Sequence, residues 1–188
     1  NEGLYRYTNL NNDEVYFSSN IQRLIQNYRS GFLQLALDDL YSSDNDGKSR
    51  TVDLLSKMDE YFPTSVIPVS DPELDIQIGR IYNQAGVPEN LRERLQSLRN
   101  RQDIGIDTYF YIGQVYLNEL NDTTAAIELY NEMKIEYPYL SDIRLALVQI
   151  YSQNEDFVNA IKELEEWLEV SPNNQQAKDL LKYLETQA

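Results

Sequence analysis

The stretch Tyr111-Ile112-Gly113-Gln114-Val115-Tyr116 has a counterpart on each side, Gln77-Ile78-Gly79-Arg80-Ile81-Tyr82 before it and Ala146-Leu147-Val148-Gln149-Ile150-Tyr151 after it. Gly79 and Gly113 are 34 residues apart, while Tyr116 and Tyr151 are 35 apart, which places one extra residue in the turn Asn121-Asp122-Thr123-Thr124. A repeat of this length marks supersecondary units that bury their apolar faces by stacking on one another. After each of the last two segments comes a second apolar series at helical spacing. These series are Ala126-Ile127, Tyr130 and Met133, closed by Pro138, and Ala160-Ile161, Leu164 and Trp167, closed by Pro172. Proline has no backbone N–H and clashes with the preceding turn, so it ends a helix. The spacing therefore predicts an all-α chain of helical hairpins, a helix A and a helix B in each.

Upstream the pattern loosens. Ile78, Gly79, Tyr82 and Gly86 repeat helix A and its turn, with Leu91, Leu95 and Leu98 on the partner helix. Leu35-Ala36 and Leu40 suit an earlier helix A, followed by Val52, Leu55 and Met58 and a closing Pro63. Pro63, Pro68 and Pro72 mark residues 64–72 as a linker, and the turn-forming cluster Asn9, Asn11, Asn12 and Asp13 makes residues 1–18 an irregular leader. Downstream, Ala177, Leu180, Leu181 and Leu184 share one side of a last helix, Gln175 to Thr186, with charged residues opposite, as a terminal cap requires. The expected organisation is a leader (1–18), an N-terminal hairpin (19–63), a linker (64–72), and repeats (73–188) with the capping helix from about 175.

With Gly113, Tyr116, Ala126, Tyr130 and Pro138 in place, the chain resembles the tetratricopeptide repeat. That resemblance implies a right-handed solenoid in which small residues at Gly113 and Ala126 let helices A and B cross closely. Val148 departs from it by replacing the small glycine, and Met133 and Trp167 depart from it by replacing a small alanine. The resemblance also implies an inner groove lined mainly by helix A. Carried over position by position, the groove residues are Arg80, Asn83 and Gln84, then Asp107, Phe110, Gln114, Leu117 and Asn118, then Asp142, Leu145, Gln149, Ser152 and Gln153. Amides dominate the set. Each offers donors and an acceptor, which suits an extended peptide backbone or sugar hydroxyls. A clamp for a terminal carboxylate is disfavoured, because Arg80 is the one cation of the set while Asp107 and Asp142 repel an anion.

Composition removes much chemistry. The 188 residues include no His and no Cys, so there is no imidazole base, no thiolate nucleophile and no zinc site of the usual kind. The formal net charge is −15 at pH 7, which disfavours nucleic acid and anionic lipid and favours neutral or basic partners. Residues 1–104 carry 11 basic and 16 acidic side chains and residues 105–188 carry 5 and 15, so the excess is concentrated in the second half. Its densest cluster, Glu163, Glu165, Glu166 and Glu169, reads as a solvated helix face. Ser42-x-Asp44-x-Asp46-Gly47 with Asp53 echoes a calcium loop, but Ser42 replaces the first carboxylate, Asp53 is short, and a hairpin turn explains it more simply. Adjacent carboxylates such as Asp38-Asp39 point about 100° apart on a helix and make no catalytic pair. No catalytic residue, metal ligand set or cofactor is assigned.

A second resemblance rests on Tyr5-Arg6-Tyr7, Val15-Tyr16-Phe17, Asn27-Tyr28-Arg29, Phe32-Leu33-x-Leu35-Ala36, Met58-Asp59 and Val66-Ile67-Pro68 ahead of the repeats. In this order they resemble the soluble C-terminal region of large multi-pass bacterial membrane proteins, mainly from Bacteroidetes, of a glycosyltransferase-like family associated with protein O-mannosylation. What that implies is a periplasmic tail, with catalysis in the membrane portion and no catalytic residue carried over to this chain. The expected function is a non-catalytic protein or peptide interaction module whose partner includes, as one option, the parent's own membrane domain. The alternatives are a substrate-selecting domain of a membrane glycosyltransferase and a free cytoplasmic adaptor. Asn1 at the start is what a processed product or excised fragment would show.

Overall fold

The computed structural model describes residues 8–187, and among these it contains nine α-helices and no strand. The chain divides into two compact units, residues 1–104 and 105–188. The division falls after Ile104 and not within the proline-rich stretch 64–72. The first unit holds α1 (Ser19–Leu40), α2 (Gly47–Tyr61), α3 (Pro72–Gln84) and α4 (Pro88–Arg99). The second holds α5 (Ile106–Asn118), α6 (Thr123–Glu136), α7 (Ser141–Gln153), α8 (Phe157–Val170) and α9 (Gln175–Leu184). Helices α1 and α2 pack together, as do α3 and α4, and from α5 to α9 each helix packs on the next in chain order. That arrangement is consistent with a stack of helical hairpins.

The helix boundaries follow from local chemistry. Asp71, Asp122, Asp156 and Asn174 accept backbone N–H bonds at the starts of α3, α6, α8 and α9, satisfying donors that have no partner inside a helix. Pro72 and Pro88 sit in the first turns of α3 and α4, where the missing N–H costs nothing. Within the three repeats the turn from helix A to helix B is closed by one recurring bond. Val87 N donates to Tyr82 O at 2.9 Å, Asp122 N to Tyr116 O at 2.8 Å and Asp156 N to Tyr151 O at 2.9 Å. The middle closure spans one residue more, so the extra residue lies inside this turn. The residue before each closure is left-handed: Gly86 at φ 100°, Asn121 at φ 50° and Glu155 at φ 58°.

The repeat glycines are set by contact. A Cβ on Gly79 would lie 2.7 Å from Leu91 Cδ1 and 2.9 Å from Leu91 Cα, and one on Gly113 would run into the Tyr130 ring, 2.5 Å from its Cζ. Where Val148 stands instead, the hairpin buries Val148 with Ala160, Leu164 and Trp167, and the position of the Tyr130 ring is taken by the smaller Leu164. Ala177 and Leu184 bury against this same cluster, with Leu180 and Leu181 beside them, and α9 ends at Leu184.

In the first unit the connection between α2 and α3 is packed. Ile67 and Val69 are buried, and the buried Arg29 of α1 donates from Nη2 to Phe62 O at 2.7 Å and to Ile67 O at 2.6 Å. Desolvation lowers the Arg29 pKa to about 10, so the group stays cationic at neutral pH. Tyr28 stacks on Phe62 with ring centroids 6.3 Å apart. The described part of the leader, from Thr8, contains no helix, and Phe17 enters the core. Tyr5, Arg6 and Tyr7 lie outside the described residues.

Three glycine-to-alanine substitutions should rank by what the new methyl meets. Gly79→Ala should cost about 2 kcal/mol, because the obstacle includes the backbone of α4. Gly113→Ala should cost less, since only the tip of Tyr130 must yield. Gly31→Ala, in mid-helix with nothing within 4 Å, should stabilise by about 0.5–1 kcal/mol. Urea denaturation measures all three. By the same readout Glu155→Gly should stabilise by about 1 kcal/mol, because it relieves a left-handed side-chain conformation.

Candidate functional site

On α5, residues Gln114, Leu117 and Asn118 share one face by their helical spacing, and on α7 so do Ala146, Gln149, Ile150 and Gln153. The second unit brings them together around a cleft of about 110 Å³, with Tyr130 of α6 completing the wall. Gln114 corresponds to Gln149 and Asn118 to Gln153 in the repeat, so each helix A presents the same two amide positions. Asn118 Nδ2 donates to Gln114 Oε1 at 3.3 Å. Tyr130 is fully buried, which raises its pKa, and its hydroxyl lies 3.5 Å from Phe110 O. The chemistry is neutral donors and acceptors beside apolar Leu117 and Ile150, in a volume that admits a side chain or a short length of backbone.

Five of the residues expected from the groove positions, Gln114, Leu117, Asn118, Gln149 and Gln153, therefore line one cleft. The others have different surroundings. Phe110 packs its ring on Tyr130 at 5.8 Å, Leu145 packs against the Val148 and Trp167 cluster, and Ser152 Oγ donates to Val148 O at 2.7 Å. Asp107 and Asp142 are exposed in the first turns of α5 and α7. Arg80, Asn83 and Gln84 belong to α3 in the first unit, where Gln84 Oε1 accepts from the Tyr41 hydroxyl at 3.2 Å. Sequence reasoning missed Tyr130, Ala146 and Ile150 as lining residues. Tyr130 was legible only as the ring that fills the space left by Gly113, and the same ring closes the cleft.

The charged clusters have internal uses. Glu163 does not belong to a solvated face. It is buried between Lys134 of α6, whose Nζ lies 2.5 Å from Oε2, and Arg144 of α7, whose Nη1 lies 2.8 Å from Oε1. Glu166 joins Lys134 at 3.0 Å, whereas Glu165 and Glu169 are exposed. In the first unit Arg94 occupies the equivalent setting. It binds Asp75 at 2.6 Å and Asp59 at 2.7 Å, and Nε donates to Asn90 Oδ1 at 2.7 Å. Burial pushes the Asp75 carboxyl up while Arg94 and Arg29 pull it back. This network borders a recess of about 290 Å³, which also exposes Thr64, Ser65, Glu93 and Ser97.

The stretch that echoes a calcium loop is not a loop across its length. Gly47 begins α2, so Asp53 stands within a helix, and Arg50 takes Asp39 at 2.7 Å and Asp44 at 3.3 Å as its partners. A guanidinium already provides the positive charge that a metal would bring. No known family profile matches this chain, and no curated protein is significantly similar to it.

Removing one member of a buried ion pair leaves the other without compensation. Glu163→Ala should lose about 3 kcal/mol in urea denaturation, since Arg144 and Lys134 would both lose their shared carboxylate. Replacing Arg144 and Glu163 together by methionine should cost less than Glu163→Ala alone.

Proposed function

We propose that this chain is a non-catalytic interaction module that binds a protein or an extended peptide across the amide-lined face of α5 and α7. The observation that carries this reading is the convergence of Gln114, Asn118, Gln149 and Gln153 on one cleft beside Leu117 and Ile150. Side-chain amides pair with peptide groups in either direction, and the apolar members give a partner side chain a place to lose water. The resemblance to tetratricopeptide repeats supports the same use of helix A. The resemblance of the N-terminal segments to tails of multi-pass glycosyltransferase-like proteins supports placing the module in the periplasm as part of a larger membrane protein. Within the chain itself no group is assigned a catalytic role.

Peptides selected from a random library on the immobilised protein test the reading by isothermal titration calorimetry. The triple variant Gln114→Ala/Asn118→Ala/Gln149→Ala should bind the selected peptides at least tenfold more weakly, equivalent to about 1.4 kcal/mol. Selected peptides that bind the triple variant as tightly as the parent would overturn the assignment of this face.

A further inference from the structure

The charge network around Arg94 has a counterpart in the second unit. The ends of α2 and α6 match in backbone, Phe62 at φ −130° and ψ 62° and Tyr137 at φ −124° and ψ 64°, each followed by proline. Three residues before these ends stand Asp59 and Lys134. The turn closures at Val87 and Asp156 align the following hairpins, which pairs Asp75 with Arg144, Glu93 with Lys162, Arg94 with Glu163 and Ser97 with Glu166. Asp59 and Asp75 flank Arg94 as Lys134 and Arg144 flank Glu163. Every charged position therefore reverses its sign except one. In the second unit Glu166 supplies a counter-charge at the rim, 3.0 Å from Lys134 Nζ and 3.9 Å from Lys162 Nζ. The reversed set calls for a cation at residue 97 to meet Asp59 and Glu93, and the chain has a serine there. We propose that the recess beside Ser97 binds an aliphatic primary ammonium group, which takes the place of that missing cation.

The two recesses differ in how their charge is closed. The one in the second unit, of about 210 Å³, is lined by Lys134, Lys162, Glu163 and Glu166, and both of its carboxylates are bonded to cations of the chain. The one in the first unit, of about 290 Å³, sets Asp59, Asp75 and Glu93 against Arg94 alone. Arg94 donates from Nη1 to Asp75, from Nη2 to Asp59 and from Nε to Asn90. Asp75 is 7% exposed, and its one bonded oxygen is Oδ1; Oδ2 has no partner among the described residues, although the side chain lines the recess. Glu93 likewise has no ion-pair or hydrogen-bond partner among the described residues. Arg29 acts on Asp75 through its field, but its Nη2 donates to the carbonyls of Phe62 and Ile67. A buried carboxylate oxygen left open is costly unless a donor comes to it.

The arrangement of acceptors selects the occupant. They come from three helices, Asp59 on α2, Asp75 on α3 and Glu93 on α4, with the Ser97 hydroxyl beside them. An ammonium carries three donors that diverge from one centre, which suits acceptors reaching it from different sides. A guanidinium is planar and prefers to take both oxygens of one carboxylate, and Arg94 Nη2 already takes both oxygens of Asp59. Among the described residues no group of three or more carboxylates is placed to hold a metal ion. Pro63 on the wall gives the alkyl stem an apolar contact.

The probes are 1,5-diaminopentane, a blocked glycine peptide carrying one lysine, and the neutral 1,5-pentanediol, each titrated into the full chain by calorimetry. The parent protein should bind an amine probe and not the diol. Binding of the peptide identifies the ligand as a lysine side chain of a partner, and binding of the diamine alone identifies it as a free amine. Ser97→Lys places the missing cation on the chain itself, and it should abolish binding while the melting temperature holds or rises. Glu93→Gln should weaken binding at least tenfold, whereas Glu169→Gln, the same charge change at an exposed acid of the second unit, should leave it unchanged. Ser97 and Glu93 are both exposed, so neither substitution disturbs the core. Amine binding by Ser97→Lys and Glu93→Gln as tight as by the parent would reduce the attraction to diffuse charge and overturn the proposal. Equal binding of the diol, or no heat from either amine up to about 10 mM, would overturn it as well.

Discussion

Close approach of two helices at a single point governs each repeat hairpin in this chain. At Gly79 the backbone of α4 leaves no room for a methyl group, and at Gly113 the Tyr130 ring occupies the space a side chain would take. Interiors pack at crystal-like density, so an added methyl must displace its neighbour, which at Gly79 includes backbone and at Gly113 is a side-chain ring. In the third hairpin Val148 takes the glycine position and Leu164 the position of Tyr130, both within one buried cluster. The amide cleft depends on this contact. Tyr130 reaches its wall because the ring lies over Gly113, with its hydroxyl near Phe110 O.

A second constraint is electrical and follows the same register. Asp75 and Arg144 stand at equivalent positions four residues before Gly79 and Val148, and their partners Arg94 and Glu163 are each 19 residues further on. The two hairpins therefore bury the same ion pair with its sign reversed. Coulomb attraction is indifferent to the exchange, but a mispaired hairpin is not. Packing α3 against α8 would bury Asp75 with Glu163, and packing α7 against α4 would bury Arg144 with Arg94, at a cost of several kcal/mol for uncompensated charge. In the middle hairpin Tyr109 and Leu129 take these positions, so it carries no charge there.

The repeat, the helix ends and the cap were legible because periodicity and capping are local properties. Pro138 and Pro172 end α6 and α8 one residue after the cap, and Asn174 begins α9. The acidic cluster on α8 was misread for the opposite reason. Glu163, Glu165, Glu166 and Glu169 look alike in sequence, and only the approach of Lys134 from α6 and Arg144 from α7 separates the buried acid from its neighbours. The linker had the composition of a spacer, yet the guanidinium of Arg29 on α1, 38 and 39 residues earlier, holds its Ile67 and Pro68 carbonyl groups.

Sequence alone determined that the chain is helical, where most of its hairpins turn, which amide positions recur on helix A, and that imidazole and thiolate chemistry are absent. Tertiary structure decided which of those positions share a cleft and which charges are buried. The reason is range. Helix formation and termination depend on residues within a few positions of each other, whereas burial and electrostatic pairing depend on side chains that only packing brings to within a few ångströms.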